Sequence, residues 1–287
     1  MPEGDVVWRT ARRLASALAG RVLTVSDLRW PSLATVDLTG RSVDAVACRG
    51  KHLLIRTSGG VTVHSHLRMD GEWRVQTASI GLPRGGRGAA IRAVLGNPEW
   101  SAVGYRLGML NVLPTAREER IIGHLGPDLL AADWDTAAAT GNLIADPERP
   151  IGEALLDQRV LAGLGTFFMA ETCFLAGVSP WTPVGECADP RAIVDVAHRL
   201  ITASITGPVQ TTTGDPRPGR RQWVHARAGQ GCRRCGGPVR AAPVGVAPTE
   251  RTAFWCPRCQ PGPSPHRSAS PVTSLRRPAP GRASPGH

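Results

Sequence analysis

Four cysteines in two close pairs, Cys232-x-x-Cys235 and Cys256-x-x-Cys259, with 20 residues between the pairs, constrain this chain more than any other feature. The spacing is that of a four-cysteine zinc ribbon, in which each pair offers two thiolates from a tight turn. The segment between the pairs is then expected to form a β-hairpin. Four thiolates around one Zn2+ leave no open coordination position, so a single structural ion is expected rather than a catalytic one. Cys48, Cys173 and Cys187 read as ordinary small core or semi-exposed residues. Seven cysteines are an odd number for a disulfide framework, which points to a reducing compartment. No apolar run of about 18 residues exists, and the chain start carries Glu3 and Asp5 within an amphipathic pattern rather than a secretory signal. A soluble, cytoplasmic protein with no membrane contact is expected.

Charge is distributed unevenly. The net charge is +11, yet residues 1–214 hold 20 Arg, one Lys and 21 acids and sum to zero. Residues 215–287 hold 13 Arg against Asp215 and Glu250, and so carry the entire excess. A strongly basic region on a neutral body is the electrostatic signature of a polyanion binder, most often of nucleic acid. Around the cysteines stand Arg233, Arg234, Arg240, Arg251 and Arg258, and guanidinium groups on a rigid hairpin suit phosphate. The chain has 33 Arg and a single lysine, Lys51, which marks a place where a compact ammonium is needed and a planar guanidinium will not serve.

With 287 residues and 41% hydrophobic content the chain can build about two cored domains. Val7, Ala11, Leu14 and Leu18 recur at helical spacing and predict a helix over 6–19. From 21 to 113 the pattern turns to short β-type runs at 43–48, 52–57, 61–66, 89–95 and 107–113, separated by glycine-rich turns. Many short strands at this spacing predict a sandwich or barrel. Thr115-Ala116-Arg117-Glu118 reads as a capping box opening a helix to about His124. Further helices are expected over 136–145, 151–162, 166–176 and 190–206, the second and third of these joined only by Gly163-Leu164-Gly165. From Pro261 onward, seven prolines among Ser, Gly and Arg predict a disordered basic tail. The expected organisation is residues 1–114 as a β-sandwich with its leading helix, 115–214 as a helical domain, 215–260 as the zinc finger and 261–287 as the tail.

The start, Met1-Pro2-Glu3-Gly4, allows removal of the initiator methionine, which leaves Pro2 with a free secondary amine. Model α-amino groups have a pKa of about 7.7–8.0, so a nucleophilic fraction exists near neutrality. A secondary amine attacking a sugar C1′ gives a charged iminium directly, a good electron sink for elimination. Glu3 beside it can supply the proton that opens the sugar ring.

Five motifs occur in order: Met1-Pro2-Glu3-Gly4; Arg49-Gly50-Lys51-His52-Leu53-Leu54; His66-Leu67-Arg68-Met69-Asp70-Gly71; the run from Leu156 to Gly165; and Arg251 to Gln260 across the second cysteine pair. Together they resemble the formamidopyrimidine-DNA glycosylase/endonuclease VIII family of bifunctional DNA repair enzymes, over about residues 2–260. Glycine at position 4 and the continuation Asp5-Val6-Val7-Trp8 resemble the actinobacterial form of the endonuclease VIII branch. The resemblance implies an α+β fold: an N-terminal β-sandwich with a leading helix, then a helical domain with a helix–two-turn–helix motif and a four-cysteine zinc finger. It implies damaged DNA as partner, a monomer, Pro2 as Schiff-base nucleophile and Glu3 as proton donor. Lys51 would act at the phosphate and in β-elimination, Arg251 at the phosphates beside the lesion and in δ-elimination. Met69 matches the wedge that fills the gap of an extruded nucleotide, with Arg68 beside it. His66 and His124 match phosphate-contact positions.

Two departures stand out. Thr166 occupies the place of an asparagine that contacts DNA in the family, and Asp5-Val6 replaces a Pro-Glu pair, so a carboxylate that orients the terminal amine is shifted or absent. Oxidised pyrimidines are the expected substrates. Arg106-Leu107-Gly108 lacks the aromatic residue usual in the purine-lesion branch. The alternatives are an enzyme for 8-oxoguanine or formamidopyrimidine, and a non-catalytic zinc-ribbon DNA binder.

Overall fold

A computed structural model describes residues 2–82 and 86–265. The leading helix, α1 (Gly4–Leu18), buries Val7, Ala11, Leu14 and Leu18, the stripe expected from their spacing, and begins two residues earlier than its periodicity suggests. Eight strands follow: β1 (Val25–Leu28), β2 (Val43–Arg49), β3 (His52–Thr57), β4 (Val61–His66), β5 (Glu72–Thr77), β6 (Ile91–Gly96), β7 (Trp100–Tyr105) and β8 (Met109–Pro114). They pair antiparallel in two four-stranded sheets, ordered β1-β6-β7-β5 and β2-β3-β4-β8.

The sheets pack as a sandwich, with Leu53, Ile55, Val63 and Leu110 from one and Leu28, Trp73, Leu95 and Ala102 from the other in a single core with Leu14 and Leu18 of α1. Truncating Leu14, which is wholly buried, costs about 2–5 kcal/mol by the usual cavity penalty. Side chains alternate along a strand. The parity that sends Leu53, Ile55 and Val63 inward therefore sends His52, His64 and His66 to the opposite face of the second sheet.

The capping box at 115–118 does not form. Thr115–Arg117 is a 3-10 turn, followed by the one-turn helix α3 (Glu119–Ile122); another single turn, α2 (Gly86–Ala89), precedes β6. Instead of reaching back along the chain, the Glu118 carboxylate accepts from Arg56 Nε (2.9 Å) and Nη2 (2.6 Å) and from Thr62 Oγ1 (2.6 Å). A tertiary ion pair outcompetes the local cap.

Four longer helices build the second half. Asp135 accepts from the amides of Ala137 and Ala138 and starts α4 (Thr136–Ile144). Asp189 does the same for α7 (Pro190–Thr206), with Pro190 at its first position. Between them lie α5 (Ile151–Leu156) and α6 (Thr166–Ala176). The expected helix over 151–162 stops at Leu156, because the Gln158 side chain takes over the local hydrogen bonds. Its amide donates to the carbonyls of Leu156 and Leu164 (2.9 Å each) and its oxygen accepts from Gly163 N (3.1 Å). The connection to α6 is thus a stapled turn spanning 157–165, not three residues. Helix α6 is sheathed on all sides, with Phe167 to Phe174 buried, and ends at Gly177, whose φ of 72° suits a glycine.

Strands β9 (Arg240–Val244) and β10 (Arg251–Trp255) form the hairpin expected between the cysteine pairs. It packs on α5 and α6 through Val244, Ala253, Val239 and Cys256. Of the tail expected from Pro261, residues 261–265 are placed, with Ser179 Oγ donating to the Pro263 carbonyl. Residues 266–287 lie outside the described residues, as does Met1. Among the described residues no helix is long and apolar enough to cross a membrane.

The two halves meet along a bonded seam. Gly4 N donates to Gly163 O (2.9 Å), Gly50 N to Asp128 Oδ2 (2.7 Å) and Arg49 Nη2 to Gly126 O (3.0 Å). Asp5 is fully buried and accepts from Ser204 Oγ (2.8 Å), Gln210 Nε2 (2.9 Å) and Arg9 Nη2 (2.9 Å), which fastens α1 to the end of α7.

Candidate active site

The seam opens into a cleft of about 660 Å³ lined by residues from both halves. Pro2, Lys51, His66, Arg68 and Met69 come from the sandwich half, Thr166 from α6 and Arg251 from the start of β10. The structure therefore gathers seven of the residues singled out in the sequence, drawn from motifs up to about 250 positions apart. Glu3 lies immediately behind them, fully buried. His124 is not part of the lining; its ring stands 6.4 Å from that of His52, at the back of a histidine cluster.

Glu3 occupies the N-cap position of α1 without capping it. Its carboxylate instead reaches the N-terminus of α6, where Oε2 accepts from Gly165 N (2.7 Å) and Phe168 N (3.2 Å) and Oε1 from Phe167 N (2.7 Å). The free amides at a helix start bind negative charge in this way. The fit demands glycine at two positions. A Cβ on Gly165 would stand 2.5 Å from the Glu3 carboxyl carbon, and one on Gly4 would stand 3.0 Å from Gly163 Cα. Thr166, in the first turn of α6, adds its side chain to the cleft wall.

Burial pushes the Glu3 carboxyl above the usual range, opposed by the charge of Lys51 and by the three amides. Burial likewise pulls the Lys51 ammonium down, opposed by Glu3 and assisted by Arg251. The two groups are thereby drawn toward each other in proton affinity. Asp5, by contrast, is committed to Ser204, Gln210 and Arg9, so it serves the seam and not the Pro2 nitrogen.

At the end of the sandwich Met69 is 63% exposed, a large apolar side chain held out at the cleft mouth. Arg68 beside it has φ 56° and lies across Gly108, where a Cβ would collide at 2.1 Å. Leu107 is buried in the sandwich core and does not project beside Met69.

Behind Lys51, His52 and His64 stack at 5.1 Å, with His52 Nδ1 and His64 Nε2 2.9 Å apart, and His66 meets His52 edge-on. Burial lowers the pKa of His52 to about 3 and those of His64 and His66 to about 4. The cluster is neutral at physiological pH and adds no repulsion to Lys51.

The four cysteine sulfurs at 232, 235, 256 and 259 all lie within 4.8 Å of one another, with Cys232 and Cys259 Sγ 3.8 Å apart and Cys235 and Cys256 Sγ 3.5 Å apart. A tetrahedron with metal–sulfur bonds of about 2.3 Å has edges of roughly 3.8 Å, so the donor set fits one metal ion. The surrounding arginines divide. Arg233 donates to the carbonyls of Gln222 and Gly219, and Arg234 lies 4.4 Å over the Phe174 ring, so both brace the finger. Arg251 alone of the five named in the sequence lines the cleft.

Sequence reasoning missed His225 and Glu171. His225 lines the same cleft as Pro2, its ring edge-on to Phe167 (5.2 Å) and Phe254 (5.0 Å). Glu171, buried on α6, accepts from the amides of Trp223 (2.7 Å), Val224 (2.8 Å) and His225 (2.8 Å) and from the Thr212 hydroxyl. A carboxylate binding backbone about 50 residues away leaves no local pattern; the clue available was a lone Glu171 within an otherwise apolar helix.

Residues 1–99 match the model of the formamidopyrimidine-DNA glycosylase N-terminal domain. The chain is 55% identical over 267 residues to a probable endonuclease 8 2 of Streptomyces coelicolor, covering 92% of this chain and 96% of the relative. It is 45% identical over 260 residues to the DNA-(apurinic or apyrimidinic site) lyase Nei2 of Mycolicibacterium smegmatis, covering 91% and 99%. Among solved structures, a MutM in complex with DNA containing carbocyclic 8-oxo-G superimposes with a TM-score of 0.77 at 21% identity, covering 91% of this chain and 100% of that one. A Lactococcus lactis Fpg in complex with abasic-site DNA gives a TM-score of 0.75 over the same shares. Near-complete coverage at such identity extends the likeness from the sandwich through the cysteine hairpin, and with it this chain belongs to the formamidopyrimidine-DNA glycosylase/endonuclease VIII family.

Proposed function

We propose that the protein is a bifunctional DNA glycosylase/AP lyase of base excision repair that removes oxidised pyrimidines through a Pro2 Schiff base and nicks the strand by β,δ-elimination. One observation carries the reading: Pro2 lines a cleft with Lys51 and Arg251, while the carboxyl behind it is docked on the start of α6. The high identity to relatives named endonuclease 8 supports pyrimidine over purine lesions, and the buried Leu107, in place of a projecting aromatic residue, agrees.

The chemistry follows from the site. With Met1 removed, the Pro2 nitrogen attacks C1′ of an extruded nucleotide. Glu3, whose proton affinity burial raises, gives its proton to the ring oxygen as the sugar opens. Lys51, its ammonium weakened by burial, serves the phosphate and the elimination, and Arg251 holds the flanking phosphates. A base stacked in duplex DNA cannot present C1′, so the nucleotide must be flipped out, at a cost of a few kcal/mol that Met69 offsets by filling the gap. The four thiolates hold one structural Zn2+, which braces the hairpin that carries Arg251. The protein works as a cytoplasmic monomer.

Borohydride trapping on abasic-site DNA tests the reading. The protein should crosslink covalently, Pro2→Gly should lose the crosslink, and mass spectrometry should find Pro2 at the start of the active protein. Full nicking activity on protein that retains Met1 would overturn it.

A further inference from the structure

The Schiff base requires that the Pro2 nitrogen, having attacked, give up its remaining proton before the sugar can open to an iminium. Several polar groups in and behind the cleft are already engaged. Both Glu3 oxygens accept backbone amides and the group is the proton donor of the step. His66 Nδ1 accepts from Arg68 N (3.0 Å). Gln158 is used in stapling its own turn.

His225 is different. Its ring lines the cleft with Pro2 and makes no hydrogen bond among the described residues. The fold nevertheless fixes it firmly. Its amide donates to the fully buried Glu171, its ring stands between Phe167 and Phe254, and the next residue, Ala226, holds φ 56°, a conformation L side chains rarely adopt. Clamp, aromatic walls and strained backbone together present an imidazole that bonds nothing among the described residues.

We propose that His225 accepts the proton shed by the Pro2 nitrogen as the Schiff base forms. This rests on the Pro2 reading above. In the step the nitrogen lone pair forms the N–C1′ bond and the C1′–base bond breaks, its electron pair leaving with the base, which takes a proton from water. The N–H proton passes to the His225 ring, the C1′–O4′ bond opens, and O4′ takes the Glu3 proton. The products are an iminium, an imidazolium, a carboxylate, the free base and the hydroxide left by the water that protonated it.

Burial lowers the His225 pKa to about 4, so the imidazole is unprotonated and able to accept at neutral pH. The charged and titratable groups that share the cleft with it are Pro2, Lys51, His66, Arg68, Glu250 and Arg251, with Glu3 and Glu171 behind. DNA phosphates drawn to Lys51, Arg68 and Arg251 raise its proton affinity in the complex, when it is needed.

The test is the single-turnover rate of borohydride trapping on abasic-site DNA, across pH, for full-length wild type, His225→Phe and His225→Ala. Phenylalanine keeps the ring packing and alanine opens a space for added imidazole. At neutral pH both variants should trap about 10²-fold more slowly, with unchanged affinity for DNA bearing an uncleavable abasic analogue. The deficit should shrink at alkaline pH, and free imidazole should accelerate His225→Ala alone. His225→Phe trapping at the wild-type rate with the wild-type pH profile would overturn the proposal, as would a slow His225→Ala that imidazole leaves unaltered. Wild type failing to trap at all would strike the Pro2 reading instead.

Discussion

Glu3 and Glu171 meet α6 at two levels. At the helix start Glu3, arriving from the other half of the molecule, accepts three amides belonging to Gly165, Phe167 and Phe168. Two turns along, Glu171 projects from α6 itself and accepts three amides from residues 223–225, with Thr212 as a fourth donor. Both carboxyls are fully buried, and burial raises both pKa values. The difference lies in what stands nearby. Glu3 faces the charge of Lys51 at the edge of the cleft, whereas what opposes burial at Glu171 is its set of hydrogen-bond donors. The same anchoring device thus holds a carboxyl at the cleft in one place and a strap of backbone in the other.

That contrast predicts unequal losses of activity at equal thermal cost. Glu3→Gln should slow base excision by at least about 10²-fold, measured in single turnover and corrected for the folded fraction. Glu171→Gln should slow it by far less. Each leaves buried amides facing an NH2 group, so each should cost about 3 kcal/mol, a fall in Tm of roughly 6–12 °C. A Glu171→Gln protein as inactive as Glu3→Gln would erase the distinction.

A smaller change sharpens it. Gly165→Ala places a methyl against the Glu3 carboxyl and should lower excision about tenfold by moving that group off the helix start. Gly141→Ala within α4, where a Cβ meets nothing within 4 Å, should instead stabilise the protein by about 0.5–1 kcal/mol. Thermal melts and single-turnover assays of the two variants check the pair.

A last check concerns pH. His52, His64 and His66 have folded pKa values of about 3–4, below the ordinary 6.5. The unfolded chain therefore binds protons that the folded one refuses as pH falls from 6.5 toward 4, and the contribution of these groups, complete above 6.5, is lost across that window. Tm should fall over that range, and His52→Asn should flatten the decline. A Tm independent of pH there would show that the cluster is not buried as described.

Much of this was legible in the sequence. The α1 stripe, the alternation in β3 and β4 and the cysteine spacing each report a strong local period, and the structure follows them. Strands β1, β5 and β7 were not anticipated, because Val25–Leu28 is four residues long and Glu72–Thr77 mixes charge with apolar residues. The residues at 115–118 and 151–162 misled because side chains from elsewhere or from the turn itself, Arg56 on Glu118 and the Gln158 staple, took the backbone's place. At the site, Pro2, Lys51 and Arg251 belong to recognisable motifs. The roles of Glu171 and His225 depend on contacts between distant segments, which no local window reveals.

The seam has a mechanical corollary. Gly4 against Gly163, Gly50 on Asp128, Arg49 on Gly126 and Asp5 on the end of α7 pin the halves at four separate points, two of them at glycines with no slack for a side chain. A jaw fastened at four rivets keeps its gape, so the deformation on binding falls to the duplex. Bending is least costly where stacking is already weakened. Softness of the helix itself then becomes a selection criterion, exerted before any atom of the lesion is touched.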